Sequence, residues 1–471
     1  MNDWVDAEHH VERAHELFDA GRWDEAESEL RRALSLNPYQ AEWHFNLGLT
    51  LEAAGRDADA ADAFRDAFQL SDDPDSHAAM LVGVNLTRAG RPAEALEWLE
   101  RAEKMEPGST EAQVHRIEAL TQLARHDEAE ELFYIALEID SENPELFAAM
   151  ADSLMDRGKY DKAVWCLREA ARLDPELPRV QARLGEAYAA TGRLERARQL
   201  YLRELRQDPG DIDTLLDLGS LLADMHRPQE AAEKFRRVLE IEPDHAEAHH
   251  LLGDLADRQG NLGEALVHLD VVLRLDPEYP GARRRLAELL LRRGREEDLP
   301  RARDLLRLEL RAARTDPEAF SADDLDDLGM LLLDAGITHE AVRVLRSVLP
   351  QRNENHLAHH HLSVALLEAK DVRGGMEHAR RALILQPRFV PAMHNLALAH
   401  LRMNQWMRAR YWVRQATRID TDDAPLRRLR LLMRLHSVAG VGLWMARVAG
   451  VCGRWVWGLL TRPTRRDSGF A

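Results

Sequence analysis

Histidine is the residue type in this chain whose number and spacing most suggest chemistry. The sequence holds 21 histidines, with runs at AHH (248–250) and AHHHL (358–362). Clustered imidazoles can bind a transition metal or titrate near neutral pH. Consecutive side chains on a helix point about 100° apart, so His359, His360 and His361 cannot converge on one ion without ligands from elsewhere.

A second set of histidines is better aligned. His360 and His394 fall at one position of two successive segments, and His250 falls at the same position further away. A metal site or a pH switch is one hypothesis, and packing or surface histidines are the default one; we predict no metal ligand and no cofactor. Cys166 and Cys452 lie far apart and outside any C-x-x-C spacing, so neither a disulfide framework nor a zinc site is indicated.

Catalytic motifs are absent from the sequence. It contains no nucleophile elbow, phosphate-binding glycine loop, H-E-x-x-H or kinase signature. Carboxylate pairs are common, but a chain with 82 Asp and Glu produces such pairs by chance. We therefore predict that the protein is not an enzyme and has no catalytic residues.

Charge is distributed unevenly along the chain. Residues 424–471 carry nine Arg and one Asp, a net charge of +8. The whole chain has a net charge of −19, so residues 1–423 have a net charge of −27. So acidic a body is a poor candidate for binding nucleic acid, because nucleic-acid readers concentrate positive charge on the binding face. The N-terminus lacks the basic start and apolar run of a secretory signal, and we expect a cytoplasmic protein, with a peripheral position at the inner face of a membrane as a further hypothesis.

The main signal in the sequence is a period of about 34 residues. It is clearest in one column, whose members are Ala26, Ala60, Ala95, Ala129, Ala163, Ala197, Ala231, Ala265, Ala302, Ala341, Gly375 and Ala409. The steps run from 34 to 39 residues, and eleven of the twelve members are alanine. Such self-similarity indicates repeats, and we count twelve across about residues 7–423.

Each repeat has the pattern of two helices. The first carries a small residue near its middle, with Ile117 as the bulky exception: Ala14, Gly48, Gly83, Ala151, Gly185, Gly219, Gly253, Ala287, Gly329, Ser363 and Ala397. A glycine often follows, where a left-handed residue can end a helix. Prolines then stop the second helix, as at Pro38, Pro175, Pro209, Pro243, Pro277 and Pro387.

These columns resemble the tetratricopeptide repeat, whose helix-turn-helix units have this length and these small, aromatic and proline positions. The array is also similar to the repeat region of O-linked N-acetylglucosamine transferases, without their catalytic domain. The resemblance implies an all-α fold, a right-handed α-solenoid (superhelix) of about twelve repeats with a C-terminal capping helix. We expect a lead-in at 1–6, the array at 7–423, a capping helix at 424–436 and an apolar tail at 437–471.

One repeat departs from the period. Between Gly294 and Ala302 three residues are inserted into the turn between the helices, and the following loop is lengthened by TDPEAFSADDLDDLG. We expect a local irregularity at about 280–321, and a division of the array near it. Insertions in solenoids usually project from one face without breaking the stack.

The first helices of such an array line its concave groove. The predicted partner-binding positions there are largely acidic: Glu111, Glu118, Glu145, Asp152, Asp156, Glu186, Asp213, Asp224, Glu247, Asp254 and Asp257, with His250, His360 and His394. We expect partners to be other proteins or extended peptides, and a basic segment is the working hypothesis. The alternative is that these acids only solvate an exposed face.

The tail after the array is apolar and rich in Trp and Arg. Its candidate membrane or docking residues are Trp444, Arg447, Arg454, Trp455 and Trp457. Three hypotheses stand: a spanning helix, an interfacial helix whose residues 437–461 contact a membrane surface, and docking onto the last repeats or another subunit.

The sequence thus predicts a non-catalytic scaffold or adaptor that binds partner proteins along its groove to assemble or localise a complex. The alternative is a targeting subunit that delivers substrates to a separately encoded enzyme. A third hypothesis, binding of a small ligand or metal at the histidines, rests on the His360 and His394 position alone.

Overall fold

The computed structural model describes residues 2–420 and 427–431. All regular secondary structure in these residues is helical, and the chain divides into two compact units, residues 1–243 (unit 1) and 244–471 (unit 2). Unit 1 contains α1 (Asn2–Asp19), α2 (Trp23–Leu36), α3 (Ala41–Ala53), α4 (Asp57–Leu70), α5 (Ser76–Arg88), α6 (Pro92–Met105), α7 (Thr110–Gln122), α8 (His126–Ile139), α9 (Pro144–Asp156), α10 (Tyr160–Leu173), α11 (Val180–Ala190), α12 (Leu194–Gln207), α13 (Ile212–Asp224) and α14 (Pro228–Ile241).

Unit 2 continues the same pattern. It contains α15 (Ala246–Arg258), α16 (Leu262–Leu275), α17 (Ala282–Arg293), α18 (Asp298–Thr315), α19 (Ala322–Asp334), α20 (Thr338–Val348), α21 (His356–Glu368), α22 (Val372–Leu385), α23 (Val390–Arg402) and α24 (Trp406–Ile419). Each odd-numbered helix packs against the even-numbered helix that follows it, and each such hairpin packs against its neighbour within the unit. The predicted all-α fold of repeated helical hairpins is confirmed, with seven hairpins in unit 1 and five in the described part of unit 2.

The alanine column lies in the core of both units. Every alanine of the column has no exposed surface, and Gly375 is buried as well. These residues sit in the first turn of the second helices, where a side chain larger than a methyl group would hold the two helices of a hairpin apart. The column therefore sets the close packing of each hairpin.

The small residues of the first helices make room for large side chains of the second helices. A Cβ atom added at Gly48 would lie 2.6 Å from the Phe64 ring, and one added at Gly219 would lie 2.4 Å from the Phe235 ring. Real Cβ atoms do not approach other atoms so closely. In these hairpins the glycine and the aromatic residue sixteen positions later form a matched pair.

The turn inside each hairpin needs a residue with positive φ. Glycine supplies it at Gly21, Gly55, Gly90, Gly158, Gly192, Gly260, Gly294 and Gly336. Four other hairpins place Ala124, His226, Lys370 and Asn404 there, with φ between 55° and 67°. An L-residue with a Cβ atom is strained in this conformation, least so for asparagine.

Repeat 9, the hairpin of α17 and α18, takes up the inserted residues mainly as helix. The loop 294–297 links the two helices, and Arg293 Nε donates to Asp298 Oδ2 at 2.6 Å across it. Helix α18 has 18 residues where α2 has 14, so part of the added sequence extends the second helix rather than the loops. The two units divide after Pro243, between the seventh and eighth hairpins.

Two hairpins begin with a shortened first helix. After Pro178 and Pro280, Arg179 and Gly281 adopt left-handed conformations, and α11 and α17 start at the next residue. In the α11 hairpin, the buried carboxylate of Glu204 accepts hydrogen bonds from the backbone N–H groups of Arg179 (3.0 Å) and Gln181 (3.1 Å). Glu204 therefore satisfies donors at the start of the helix that would otherwise be buried without partners.

The described residues after α24 form a short helical segment, 427–431. Its Leu429 is fully buried and packs with Ala397, Leu398 and Val413 of the last hairpin. No helix in the described part of the chain is long and apolar enough to cross a membrane. The predicted tail residues Trp444, Arg447, Arg454, Trp455 and Trp457 lie outside the described residues.

Candidate protein-binding surface

The first helices of unit 1 carry the predicted acids on α7, α9, α11 and α13. Glu118, Asp152 and Glu186 each follow the small-residue column by one position, so successive helices present them on the same side. Glu111 and Glu145 lie exposed in the first turns of α7 and α9, and Asp213 lies in the first turn of α13. Asp156 and Asp224 are the last residues of α9 and α13.

A cleft of about 340 Å³ lies beside part of this row. Three first helices of unit 1 line it, through Val84, Thr87 and Arg88 of α5, His115, Glu118, Thr121 and Gln122 of α7, and Asp152 of α9. His115 Nδ1 lies 2.9 Å from Glu118 Oε2. The cleft combines a methyl-bearing floor with two carboxylates, a lining suited to an extended chain with a positively charged side chain.

Burial raises pKa values in this row of carboxylates, and their neighbouring negative charges add to the effect. Burial, together with the charges of Glu118, Glu186 and Asp156, raises the pKa of Asp152 to about 6, although Arg183 opposes the shift. Partial burial also raises the pKa of Glu186, with Asp156 adding to the effect. Negative charge is therefore concentrated on α9 and α11.

Sequence reasoning missed one member of this group, Asp217 on α13. Burial and the charge of Glu186 raise its pKa to about 6. Asp217 stands two residues before the small-residue column, a position that arginine occupies on α11. The sequence could have indicated Asp217, because it lies one helical turn after Asp213 and on the same side of α13.

Two arginines of α11 and its start lie against this carboxylate group, which is defined here as Glu118, Asp152, Asp156, Glu186, Asp213 and Asp217. Arg183 Nη1 is 3.5 Å from Asp152 Oδ2, and Arg179 Nη1 is 2.6 Å from Asp213 Oδ2. Six carboxylates facing two guanidinium groups leave the surface of α7, α9, α11 and α13 strongly negative.

The predicted acids of unit 2 are placed differently. Arg285 of α17 donates to Asp254 Oδ1 (3.2 Å), Asp257 Oδ2 (2.7 Å) and Glu288 Oε2 (2.6 Å). Asp257 also pairs with Arg292, and its side chain is only 6% exposed. Asp257 is thus paired and buried and Asp254 is paired but partly exposed, whereas Glu247 is exposed in the first turn of α15.

The three predicted histidines also divide between surface and interior. His250 is partly exposed, stacks near Tyr279 with ring centroids 5.2 Å apart, and lies 4.0 Å from Asp254 Oδ2. His360 and His394 are 7% and 2% exposed, so neither offers its ring to a partner at the surface. Burial lowers the pKa of His360 to about 3 and that of His394 to about 4.

The described residues contain no group of three or more histidine, cysteine or carboxylate side chains that could hold a metal ion. Two histidine pairs come close, with Nδ1 atoms 3.0 Å apart in His249–His268 and in His359–His378. A protein metal site normally takes three or four ligands, and each of these pairs brings only two ring nitrogens together. Burial raises the pKa of the Cys166 thiol to about 12, which keeps it protonated.

Comparison with known protein families gives one family, in two related profiles. Both are described as Tetratricopeptide repeat, one matching residues 11–79, 148–212 and 216–280 and the other matching residues 86–153 and 258–322. Together the matches cover well over half of the chain. No curated protein matches the chain in sequence.

Several solved structures resemble the chain at low identity. A thermophilic repeat protein of the same kind from Thermus thermophilus is 24% identical, covering 39% of this chain and 99% of its own, with a TM-score of 0.36. A repeat protein from Parabacteroides merdae is 19% identical, with coverages of 53% and 98% and a TM-score of 0.45. Yeast Tom70 is 16% identical, with coverages of 96% and 98% and a TM-score of 0.36. At these scores we draw no conclusion about partners.

Proposed function

The chain belongs to the tetratricopeptide repeat family, and we propose that it is a protein-binding scaffold whose unit 1 holds a basic segment of a partner protein. Repeats of this family are protein-interaction modules that present the first helices of successive hairpins to a partner. The segment would lie across the first helices α7, α9, α11 and α13. The observation that carries the proposal is the carboxylate group, with the raised pKa values of Asp152 and Asp217.

A basic segment would relieve an unfavourable charge distribution. In the free protein, burial first and neighbouring carboxylates second disfavour ionisation of Asp152 and Asp217. A lysine or arginine bound beside them would stabilise the ionised carboxylates, and their pKa values would fall. Binding would then release protons near pH 6, and affinity would weaken as the pH falls from about 7 to 5.

A defined peptide tests the proposal. A fluorescent lysine-rich peptide is titrated with the full chain, and anisotropy gives the Kd for the wild type and for the triple variant Asp152→Asn, Glu186→Gln, Asp217→Asn. We expect Kd to rise at least about tenfold, because three charges that face the ligand are removed. A glutamate-rich peptide of equal length should show no binding.

The matched control removes three charges elsewhere in unit 1. Its substitutions are Glu97→Gln, Glu131→Gln and Glu138→Gln, at three exposed positions of the second helices α6 and α8. This variant changes net charge by the same amount, so it separates a local effect from a general one. Equal affinities of the two triple variants would refute the carboxylate group as the binding surface.

The same variants test the alternative function, a targeting subunit for a separate enzyme. Such a subunit should co-purify with one catalytic protein in fixed ratio, and the triple variant should lose it if the carboxylate group holds it. No contact in the described residues favours this alternative over a scaffold.

Membrane contact through residues 437–461 remains a separate proposal based on sequence. The positive charge of residues 424–471 and the three candidate tryptophans support it. Full-length protein and a chain ending at Asp423 are compared for sedimentation with anionic liposomes. Equal binding would remove the proposal.

A further inference from the structure

Histidines are concentrated in the last two described hairpins of unit 2. Seven of the 21 histidines of the chain lie on α21, α22 and α23: His356, His359, His360, His361, His378, His394 and His400. Four of them, His359, His360, His394 and His400, are buried. A buried histidine must remain neutral or gain a partner that compensates its charge, so the hydrogen bonds of each ring decide how the region responds to protons.

His360 lies in a buried chain of hydrogen bonds in which its ring accepts from Asn395. Asn395 Nδ2 donates to His360 Nδ1 at 3.2 Å and also to Ser363 Oγ, which in turn donates to the Gly375 carbonyl at 2.8 Å. Asn395 and Ser363 have no exposed surface. A proton on His360 Nδ1 would set two donors against each other inside this chain of bonds.

The His359–His378 pair can hold only one proton between its facing nitrogens. His359 Nε2 donates to the Asn353 carbonyl at 3.1 Å, so its Nδ1 is the acceptor for His378 Nδ1 at 3.0 Å. The rings stack with centroids 5.2 Å apart. A second proton would place N–H against N–H, and the pair would have to separate.

Two further rings are buried, those of His400 and His394. His400 Nδ1 lies 2.8 Å from Gln405 Oε1, whereas His394 is 2% exposed and its Nδ1 makes no hydrogen bond within the described residues. Burial alone lowers its pKa to about 4. A charge on His394 would therefore be buried and uncompensated, which is among the most destabilising changes a helix interface can undergo.

Charged neighbours add to this sensitivity more than they oppose it. The neighbours whose positive charge would repel a proton on His360 are His356, His361 and His394. Arg381 and Arg346 disfavour protonation of the His359–His378 pair, whereas Glu377 and Asp371 favour it. One contact acts the other way, because His361 Nδ1 donates to Asp326 Oδ2 at 2.7 Å and protonation would strengthen that bond.

We propose that the α21–α24 region is an acid-responsive element: protonation of His360, His394 and the His359–His378 pair separates α21 from α23 while unit 1 stays folded. The element would open as pH falls from 7 to about 5 and close again on neutralisation. It is independent of peptide binding to the carboxylate group of unit 1.

The direction of the response follows from the folded and unfolded states. The pKa values of His360 and His394 in the folded chain, about 3 and about 4, lie below the 6.5 of an exposed histidine. The open form therefore binds more protons at every pH between these limits. The contribution of each neutral ring to closure is fully present above pH 6.5 and is lost progressively as the pH falls towards the folded pKa. At pH 5 each ring shifts the opening equilibrium by roughly 30-fold.

Hydrogen–deuterium exchange of the full chain tests the proposal. Exchange is measured at pH 7 and pH 5, with correction for the intrinsic exchange rate at each pH. We expect amides of α21–α24 to lose at least about tenfold in protection at pH 5, while amides of α1–α14 lose none. Unchanged protection in α21–α24, or equal loss in both units, would overturn the proposal.

Substitutions separate the proposed element from general acid sensitivity. His360→Gln keeps an acceptor for Asn395 and His394→Leu places there the residue type found at the same position of α13, Leu216. The double variant should keep its protection at pH 5, and His378→Gln alone should reduce the loss. His250→Leu, at the same position on α15 but partly exposed, should behave as wild type. A double variant that opens as readily as wild type contradicts the proposal even if its folding at pH 7 is weaker.

Discussion

In unit 1, Asp152 and Asp217 lie among other carboxylates and have raised pKa values, whereas in unit 2 Arg285 bonds to Asp254, Asp257 and Glu288 at once. Both sets of acids occupy the first helices of their hairpins. The difference lies in the reach of one arginine: Arg285 of α17 bonds three carboxylates, whereas Arg183, at the same repeat position of α11, lies 3.5 Å from Asp152. Hairpins of the same repeat type can therefore leave their acids available to a ligand, or pair these acids with arginine in contacts that stabilise the fold.

The largest expected effect comes from removing Arg285. Arg285→Ala would leave the buried Asp257 with Arg292 alone and Asp254 without this cation, and should cost about 3 kcal/mol of local stability. In unit 1, Arg183→Ala breaks a 3.5 Å contact between partly exposed groups and should cost less than about 1 kcal/mol. Urea-dependent hydrogen exchange in α15–α18 and α9–α12 measures both.

A control for this test is Arg285→Lys, which keeps the charge but loses the fork of donors. It should fall between the wild type and Arg285→Ala. Equal costs for Arg285→Ala and Arg183→Ala would show that the acids of the two units do not differ in the way described above.

The next effect compares adjacent hairpins on either side of the unit division. Gly219→Ala would place a Cβ atom 2.4 Å from the Phe235 ring and should cost about 2 kcal/mol. Gly253→Ala places it 3.4 Å from its nearest neighbours, an ordinary contact, and should be neutral or stabilising by up to about 1 kcal/mol. Thermal unfolding of the two variants measures the difference, and equal destabilisation would contradict it.

A smaller effect is expected at the strained turns. Ala124→Gly in unit 1 should stabilise by about 1 kcal/mol, because glycine adopts a φ of 55° without a steric cost. Asn404→Gly in unit 2 should gain little, since asparagine tolerates this conformation and Asn404 Oδ1 accepts from Trp406 Nε1. The denaturation midpoints of the two variants measure these gains. A larger gain for Asn404→Gly than for Ala124→Gly would be inconsistent with backbone strain as the cause.

The smallest effect is the response of unit 1 to acid. Because Asp152 and Asp217 have raised pKa values, the folded form binds more protons than the unfolded form between about pH 4 and pH 6. Helices α9–α13 should therefore gain stability as pH falls from 7 to 5, by less than about 1 kcal/mol after solvent screening. Asp152→Asn with Asp217→Asn should abolish this gain in hydrogen exchange, and a loss of stability on acidification would refute it.

The period of the sequence predicts most of the fold because it reports packing directly. The columns through Ala26 and Gly48 must be small for two helices to touch, and such a requirement is visible without coordinates. Prolines such as Pro38 and Pro243 follow the ends of second helices for an equally local reason. Local rules of this kind survive in every repeat.

Other features depend on contacts that the period does not encode. The sequence predicts the added residues of repeat 9 in its turn and its following loop, and the structure keeps the loop 294–297 but also lengthens α18 to 18 residues, where α2 has 14. Glu204 stands where Ala33 and Ala67 stand in earlier hairpins, and the period gives no role for a carboxylate there. Its role became clear only from the N–H groups of Arg179 and Gln181 that donate to it.

The sequence predicts which positions of the first helices carry the acids of the candidate surface, but not which of these acids are paired with arginine or buried. Helical spacing placed Glu118, Asp152 and Asp257 on first helices, as the structure has them. Whether an acid stays available depends on an arginine some thirty residues away, such as Arg285 for Asp257, and on the depth at which each helix packs. For the same reason the pattern of His394 could not reveal its burial.

The matched glycine and aromatic residues of a hairpin also restrict how such a protein can be rearranged by recombination. Gly48 and Phe64, like Gly219 and Phe235, belong to one hairpin, so a crossover between its two helices would combine a bulky residue with a large ring or leave a void. A crossover in the loops between hairpins keeps every pair together. Chimeras of this chain should therefore express as folded protein when they are joined near Pro38 or Pro243, and fail when they are joined at turns such as Gly55.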